Sequence, residues 1–127
     1  MEKPYLLLNI YLQYEEGVTD RQLYARTRKY WVLNPNLRKH KQVTRVVAVA
    51  NNVIRAIYYI DPNAWRKCDM PTEGEDLDRR RGVDRPSKSR YRWEFTGEKD
   101  EKAWGKFVGQ DIPQELKKRQ NPISWVI

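Results

Sequence analysis

The sequence has only one cysteine and one histidine among 127 residues, and this scarcity excludes several kinds of chemistry. A zinc site built from cysteine and histidine needs about four such ligands, and Cys68 and His40 cannot supply them. A lone cysteine also excludes an internal disulfide and fits a reducing compartment. A Ser-His-Asp triad would have to use His40, whose lysine neighbours disfavour the imidazolium that a general base must become.

Long apolar runs and nucleotide-binding loops are missing as well. The apolar runs Leu6–Leu8 and Val46–Ala50 fall far short of the roughly 20 residues that a membrane-spanning helix needs. The opening residues M-E-K-P lack the features of a secretory signal. Neither GxxxxGK[ST] nor GxGxxG occurs. We therefore expect a cytoplasmic domain with no membrane partner, no cofactor and no bound metal.

Positive charge is abundant and unevenly distributed. The chain carries 25 basic and 17 acidic residues, a net charge of +8. Residues 20–45 hold eight basic residues against one acid, Asp20, and most of the remaining excess lies in 66–92. This concentration predicts a basic face, and such a face attracts polyanions, nucleic acid first among them. A basic surface without a partner is the alternative.

The first third of the chain predicts a strand, a helix and a second strand. The apolar and aromatic run Tyr5–Tyr14 favours a buried strand. Thr19 and Gln22 match the T-x-x-Q capping box, which predicts a helix from Asp20 to about Arg28. Residues 30–33 are typical of a short strand.

The middle of the chain predicts a β-hairpin. Two runs rich in β-branched residues, 43–50 and 53–60, flank Asn51 and Asn52. Asparagine tolerates the positive φ that a two-residue type I′ turn requires. Both faces of the first run are largely apolar, so we expect the hairpin to be covered on both sides.

The second half predicts a charged loop followed by short elements. Residues 66–90 are nearly devoid of apolar side chains and predict a mobile loop. A strand is expected over 91–96, helical turns over 98–105 and 111–118, and a closing strand over 122–127. Residues 1–127 thus predict one α+β domain, with a curved, mostly antiparallel, barrel-like sheet and two or three short helices.

Four segments have a familiar order and spacing. They are LYARTRKYW at 23–31, VAVANNVIR at 47–55, RWEFTGE at 92–98 and QNPI at 120–123. They resemble the segments LYEATRGWW, AVYxGIVRxVY, RWEFxGE and GAQNPIRYV of a family of small, uncharacterised prokaryotic domains. The resemblance spans about residues 5–127, except that 66–90 has no counterpart, and Lys29 and Asn51-Asn52 replace family glycines.

The pattern of this family also resembles the PUA-like group, which includes domains of the EVE, YTH, ASCH and SRA types. Several members of that group read modified or flipped nucleobases. The resemblance therefore implies a PUA-like fold and a nucleic-acid-binding module that reads a modified or flipped base.

The candidate site combines cations with aromatic rings, as suits a phosphate backbone beside an unstacked base. The cations expected to hold phosphates are Arg26, Arg28, Lys29, Arg38, Lys39 and Lys41. The rings expected to stack on a base are Trp31 foremost, then Trp65 and Trp93, with Trp125 a further candidate. The alternative for each ring is that it fills the core of a small domain.

Two other function classes remain open. A metal-dependent nuclease or other phosphoryl-transfer enzyme could use Asp61, Glu94 or Asp100, because Asp100-Glu101-Lys102 matches the D/E-x-K half of such a site. A protein-interaction module could place its basic face against an acidic partner. We expect a binding module and assign no catalytic residue; the sequence leaves the choice between DNA and RNA and the oligomeric state open.

Overall fold

The computed structural model describes residues 1–69, 71, 74–81, 91–117 and 122–126. The strands are β1 (Tyr5–Asn9), β2 (Arg45–Ala50), β3 (Val53–Asp69), β4 (Tyr91–Lys99) and β5 (Ile123–Val126). The helices are α1 (Asp20–Thr27), α2 (Arg38–Lys41), α3 (Gly74–Arg80), α4 (Glu101–Phe107) and α5 (Gln114–Lys117), with a 3-10 turn at Tyr11–Gln13.

The five strands form one mixed sheet in the order β4-β3-β2-β1-β5. Only β1 and β2 are parallel, because the connection between them carries α1 and α2 across one face of the sheet. The other three neighbouring pairs are antiparallel. The α+β class is therefore confirmed. Within the described residues the sheet is open, with β4 and β5 as its edges, so the barrel-like closure is not confirmed.

Both faces of the sheet are buried, as the two-sided apolar pattern of β2 predicts. One face packs Leu6, Val46 and Ala48 with Leu23 of α1. The opposite face packs residues such as Val47 against α4 and α5. The sheet is thus the middle layer between two sets of short helices.

The local signals for the hairpin and for α1 are confirmed. Asn51 and Asn52 have φ values of 55° and 64°, and the flanking strands pair in antiparallel register. Thr19 accepts a hydrogen bond from the backbone N–H of Gln22, and the Gln22 side chain accepts one from the backbone N–H of Thr19. This reciprocal pair is the capping box.

The prediction of an unstructured 66–90 is wrong in part. β3 continues through the polar residues to Asp69, because these residues pair with β4 from Phe95 back to Tyr91. Residues 74–80 form α3, and 82–90 lie outside the described residues. The described residues therefore form five helices rather than the two or three expected, and α2 is one that the sequence did not predict.

Several boundaries differ from the prediction. The first strand, expected over Tyr5–Tyr14, ends at Asn9 and is followed by the 3-10 turn at Tyr11–Gln13. The expected strand at 30–33 is reduced to an isolated bridge between Trp31 and Trp93. The helix expected over 98–105 begins at Glu101 because the Asp100 side chain caps it. In the last segment α5 covers 114–117, and residues 118–121 and 127 are outside the described part.

Candidate cationic site

Trp31, the ring expected to stack on a base, lies in the core with 1% of its surface exposed. Its indole N–H donates a hydrogen bond of 2.6 Å to the carbonyl of Thr27. Its backbone exchanges hydrogen bonds with Trp93. The guanidinium carbon of Arg81 stands 3.5 Å from its ring centroid. The ring is therefore packed and capped by the chain itself, and it presents no open face for a base.

Arg81 fixes α3 to the segment that follows α1. It is 3% exposed, and its guanidinium donates to the Gln13 side chain and to the carbonyls of Lys29 and Tyr30, at 2.8–2.9 Å. Burial lowers the pKa of Arg81 to about 9. The negative charge of Asp78 opposes this shift, whereas the positive charge of Arg92 adds to it. The group remains charged at neutral pH.

A buried ion pair stands beside this anchor. Arg92 of β4 donates to Asp78 of α3 at 2.9 Å, and both side chains are almost fully buried. Breaking a buried pair by removing one partner costs about 3–5 kcal/mol. Contacts of two buried arginines, Arg81 and Arg92, therefore hold α3 to the rest of the fold.

A concave site, here called the cationic pocket, opens where α3 meets the end of α1. Its cavity is about 290 Å³. Three cationic side chains line it together with a tyrosine, a glutamine and three apolar residues: Arg26, Lys29, Arg80, Tyr30, Gln13, Ala25, Pro71 and Leu77. These described lining residues thus carry three positive charges and no negative one.

The cations of the cationic pocket are weakly engaged by the protein. Arg26 donates to the carbonyl of Gln13 and lies 3.9 Å from the exposed Glu15. Lys29 lies 4.0 Å from Glu94. Arg80 is exposed and has no hydrogen-bond or ion-pair partner among the residues described. Partly exposed pairs at such distances contribute at most about 1 kcal/mol, so an incoming anion can replace them.

Tyr30 bends the backbone into the pocket wall. Its φ is 69°, a left-handed value that is uncommon for a residue with a side chain. In this conformation the backbone carbonyls of Lys29 and Tyr30 both accept hydrogen bonds from the Arg81 guanidinium. The strain, about 1–3 kcal/mol for such residues, is thus held in place by the buried guanidinium.

Arg28 is turned away from the cationic pocket. It donates to the carbonyl of Phe95, lies 3.9 Å from Glu94 and stacks over the Tyr24 ring. Of the three candidate cations at the end of α1, Arg26 and Lys29 line the cationic pocket and Arg28 does not. Arg80 joins them from α3, inside the segment that was expected to be a loop.

The remaining candidate cations lie on α2. Arg38, Lys39 and Lys41 are all exposed, whereas His40 between them is fully buried. The ammonium of Lys39 stands 4.1 Å from the centroid of the Trp125 ring. α2 therefore presents a second basic surface.

The other candidate rings differ in access. Trp65 is 6% exposed and packs against Phe95 and His40. Trp93 is half-buried, with Lys67 at 5.9 Å from its ring centroid. The structure thus places Trp31 and Trp65 inside the fold and leaves Trp93 partly accessible.

The acidic residues considered for an enzyme are occupied by structural contacts. Asp100 accepts from the backbone N–H of Ala103 and from Arg45 at 3.1 Å. Burial alone would raise the pKa of Asp100, but these hydrogen bonds outweigh it and lower the pKa. Glu94 lies beside two cations, and Asp61 accepts from the backbone N–H of Asn63. Over the described ranges, no three His, Cys, Asp or Glu residues cluster as metal ligands would.

The chain matches no protein-family model, no curated protein and no solved structure. The family resemblance therefore stays a prediction. Among the described helices, none has the length and apolar content needed to cross a membrane.

Proposed function

We propose that the chain is a nucleic-acid-binding module that holds the phosphate backbone in the cationic pocket. One observation carries the proposal: Arg26 of α1, Lys29 just after α1 and Arg80 of α3 converge on one cavity, and none of the described residues that line it is acidic. Converging cations attract polyanions, and phosphates supply most of the affinity of nucleic-acid binders through the release of counterions. Arginine suits this role because its planar fork can hold two phosphate oxygens at once.

Preorganisation supports the proposal. The buried contacts of Arg81 and Arg92 fix α3, and therefore fix Arg80 relative to α1. The free Arg80 guanidinium and the weak pairs of Arg26 and Lys29 leave little to break on binding. When the backbone of a site is already fixed and its cations have few contacts to break, little free energy is spent on ordering the site as an anion binds.

The basic surface of α2 extends the contact. Arg38 and Lys41 are exposed and have no hydrogen-bond or ion-pair partner in the described part of the chain. A strand of nucleic acid carries a charge at every nucleotide, so it can engage several cations along its path. We assign Arg26, Lys29, Arg80, Arg38, Lys39 and Lys41 to phosphates and leave Arg28 to its contacts with β4.

The PUA-like character and the reading of a modified or flipped base remain part of the proposal. Supporting it, the His40 ring touches both Trp65 of β3 and Trp125 of β5, strands that have two others between them in the sheet. Contacts of one ring with both strands fit the curved face that the proposal expects. Trp31 takes no part in base stacking, since Arg81 covers it.

A binding screen tests the proposal. The wild-type protein is titrated with single- and double-stranded DNA and RNA of equal length over a series of salt concentrations, with an acidic polypeptide as a comparison polyanion. We expect binding to nucleic acid that weakens steeply as salt rises. Absence of binding at low salt, or tighter binding to the acidic polypeptide, would contradict the proposal, and the second result would favour an acidic protein partner.

A further inference from the structure

A second concave site lies beside α4, and no described residue that lines it also lines the cationic pocket. Its cavity is about 360 Å³, which falls within the range of about 300–1,000 Å³ that is typical of small-molecule sites. Its lining includes three cations, Arg45 of β2 and Lys102 and Lys106 of α4, and the apolar side chains of Ala103 and Phe107. We call this site the α4 pocket.

Arg45 is held in a fixed orientation at the wall of the α4 pocket. Its Nε donates a hydrogen bond of 3.1 Å to Asp100, whose side chain is 2% exposed. Its Nη2 donates one of 3.1 Å to the Tyr59 hydroxyl, and the guanidinium carbon lies 4.8 Å from the centroid of the Tyr59 ring. Two of the three guanidinium nitrogens are thus engaged by these side chains, which leaves Nη1 to face a further acceptor.

The acceptor that faces Nη1 of Arg45 is a carboxylate of the chain itself. Oε2 of Glu2 lies 3.5 Å from this nitrogen, and the Glu2 side chain is 86% exposed. Such an exposed ion pair contributes little to stability, so another anion can take its place. The contact indicates that a carboxylate fits beside Arg45 and that the resident one is weakly held.

Lys102 and Lys106 add positive charge that the protein does not pair. They stand one helical turn apart on α4, both are exposed, and neither has an ion-pair partner in the described part of the chain. Like charges at this i,i+4 spacing repel and slightly destabilise a helix. Since Asp100 already neutralises Arg45, the two lysines outweigh Glu2 in the described lining. The α4 pocket therefore attracts anions.

The other lining residues decide which anions fit the α4 pocket. Ala103 and Phe107 present apolar surface, and the Tyr59 ring is exposed. A hydrated inorganic ion gains nothing from this surface, whereas an organic anion buries its apolar part there. Asp100 and Glu2 also bring two negative charges into the same lining, which disfavours a doubly charged phosphate more than a singly charged carboxylate.

We propose that the α4 pocket binds a small organic carboxylate with an apolar body. Arg45 holds the ligand carboxylate in the place that Glu2 occupies, and the two lysines of α4 strengthen the attraction. Phe107 and Tyr59 contact the apolar body. This inference does not rest on nucleic-acid binding, since it concerns other residues and a ligand of another class. The sequence did not indicate this site, because its residues come together only through the packing of β2, β3 and α4.

An NMR titration of the isotope-labelled protein with benzoate tests this inference. Benzamide is the neutral ring control, acetate is a carboxylate without a ring, and phenyl phosphate is a doubly charged anion with a ring. We expect millimolar benzoate to shift the backbone amide signals of Arg45, Tyr59 and α4 and to leave those of Lys29 and Arg80 in place. Benzamide should bind about 10-fold more weakly because it lacks the charge, and acetate and phenyl phosphate should also bind more weakly.

Glu2→Gln gives the sharpest variant test, because it removes the competing carboxylate and no contact that holds Arg45 to Asp100 or Tyr59. We expect it to tighten benzoate binding about 3-fold. Glu16→Gln is the matched control: it removes the same charge from an exposed acid outside the described lining, and it should leave the affinity unchanged.

Lys106→Gln should weaken benzoate binding about 3-fold, whereas Lys41→Gln on α2 should not change it. Three results would overturn the inference. They are the absence of benzoate shifts at the α4 pocket, equal or tighter binding of benzamide or phenyl phosphate, and equal effects of Glu2→Gln and Glu16→Gln.

Discussion

The guanidinium of Arg81 lies on the face of the Trp31 ring, with its central carbon 3.5 Å from the ring centroid. The sequence predicts that Trp31 stacks on a base beside cations that hold phosphates, whereas the group that contacts its ring is Arg81 of the protein itself. Arg81 covers the face of the Trp31 ring on which a base would have to stack. In doing so it holds α3 in place, which brings Arg80 to the cationic pocket.

Replacing Arg81 tests its role as an anchor. Arg81→Met leaves the acceptors on Gln13, Lys29 and Tyr30 without their donor, and it removes a cation packed on Trp31. We expect a loss of about 3 kcal/mol in the free energy of unfolding, measured by urea denaturation. Arg80→Met is the control: its side chain is exposed, so its effect should stay within about 0.5 kcal/mol. Equal effects of the two changes would refute the anchoring role.

Stability should depend on pH through His40. Burial lowers the pKa of His40 in the folded protein to about 4, below its ordinary value of 6.5. As the pH falls, His40 therefore takes up a proton in the unfolded chain before it does so in the folded protein. The stability that neutral His40 contributes is complete above pH 6.5 and is lost progressively as the pH falls to about 4. We expect the loss to be roughly 3 kcal/mol.

The matched variant for this pH effect is His40→Phe, which keeps a ring against Trp65 and Trp125 and cannot titrate. Unfolding free energies of the two proteins are measured from pH 7.5 down to 4. The difference between them should change over the histidine range, with the wild type losing more. Parallel pH profiles would show that His40 is not buried in its neutral form.

Asp100 should act through structure rather than catalysis. Asp100→Ala removes the N-cap of α4 and the partner of Arg45, and we expect a loss of about 1–2 kcal/mol in unfolding free energy. Asp100→Asn keeps an acceptor for the Ala103 N–H and removes only the charge.

The charge of Asp100 should also make stability depend on pH. Because the pKa of Asp100 is lowered on folding, its negative charge stabilises the folded protein above pH 3.8. This contribution to the free energy of unfolding disappears as the pH falls through the lowered pKa. Magnesium-dependent cleavage of nucleic acid that both variants abolish would instead establish the nuclease.

Local sequence signals predicted the parts of the fold that local interactions determine. The capping box at Thr19 and Gln22 and the asparagines at the hairpin are satisfied within a few residues, so their patterns are visible in sequence. The extension of β3 to Asp69 depends on pairing with β4, which lies far away in the chain. Polar residues in that extension gave no strand periodicity, and tertiary pairing overrode their low propensity.

The candidate site could be predicted only in part for the same reason. The cations Arg26 and Lys29 were identified from the charge run after Thr19, and they do meet. Arg80 and Arg81 are neighbours in one arginine run, yet one is exposed and the other buried. Sequence gives no signal for that division, because it depends on how the end of α3 is oriented toward Trp31, which Arg81 contacts just after the helix. His40 was likewise dismissed as a base, and its packing against two distant rings was not visible.

The most direct test of the account is the salt dependence of nucleic-acid binding in two variants of equal charge. One replaces Arg26, Lys29 and Arg80 of the cationic pocket by glutamine, and the other replaces the exposed Lys3, Lys102 and Lys106. Each phosphate contact adds about 0.7 to the slope of log affinity against log salt for a single strand. We expect the pocket variant to lose roughly 2 from that slope, with weaker binding at every salt concentration, and the control to stay close to wild type. Equal losses in both variants would contradict a defined phosphate site and leave only the overall charge of the chain.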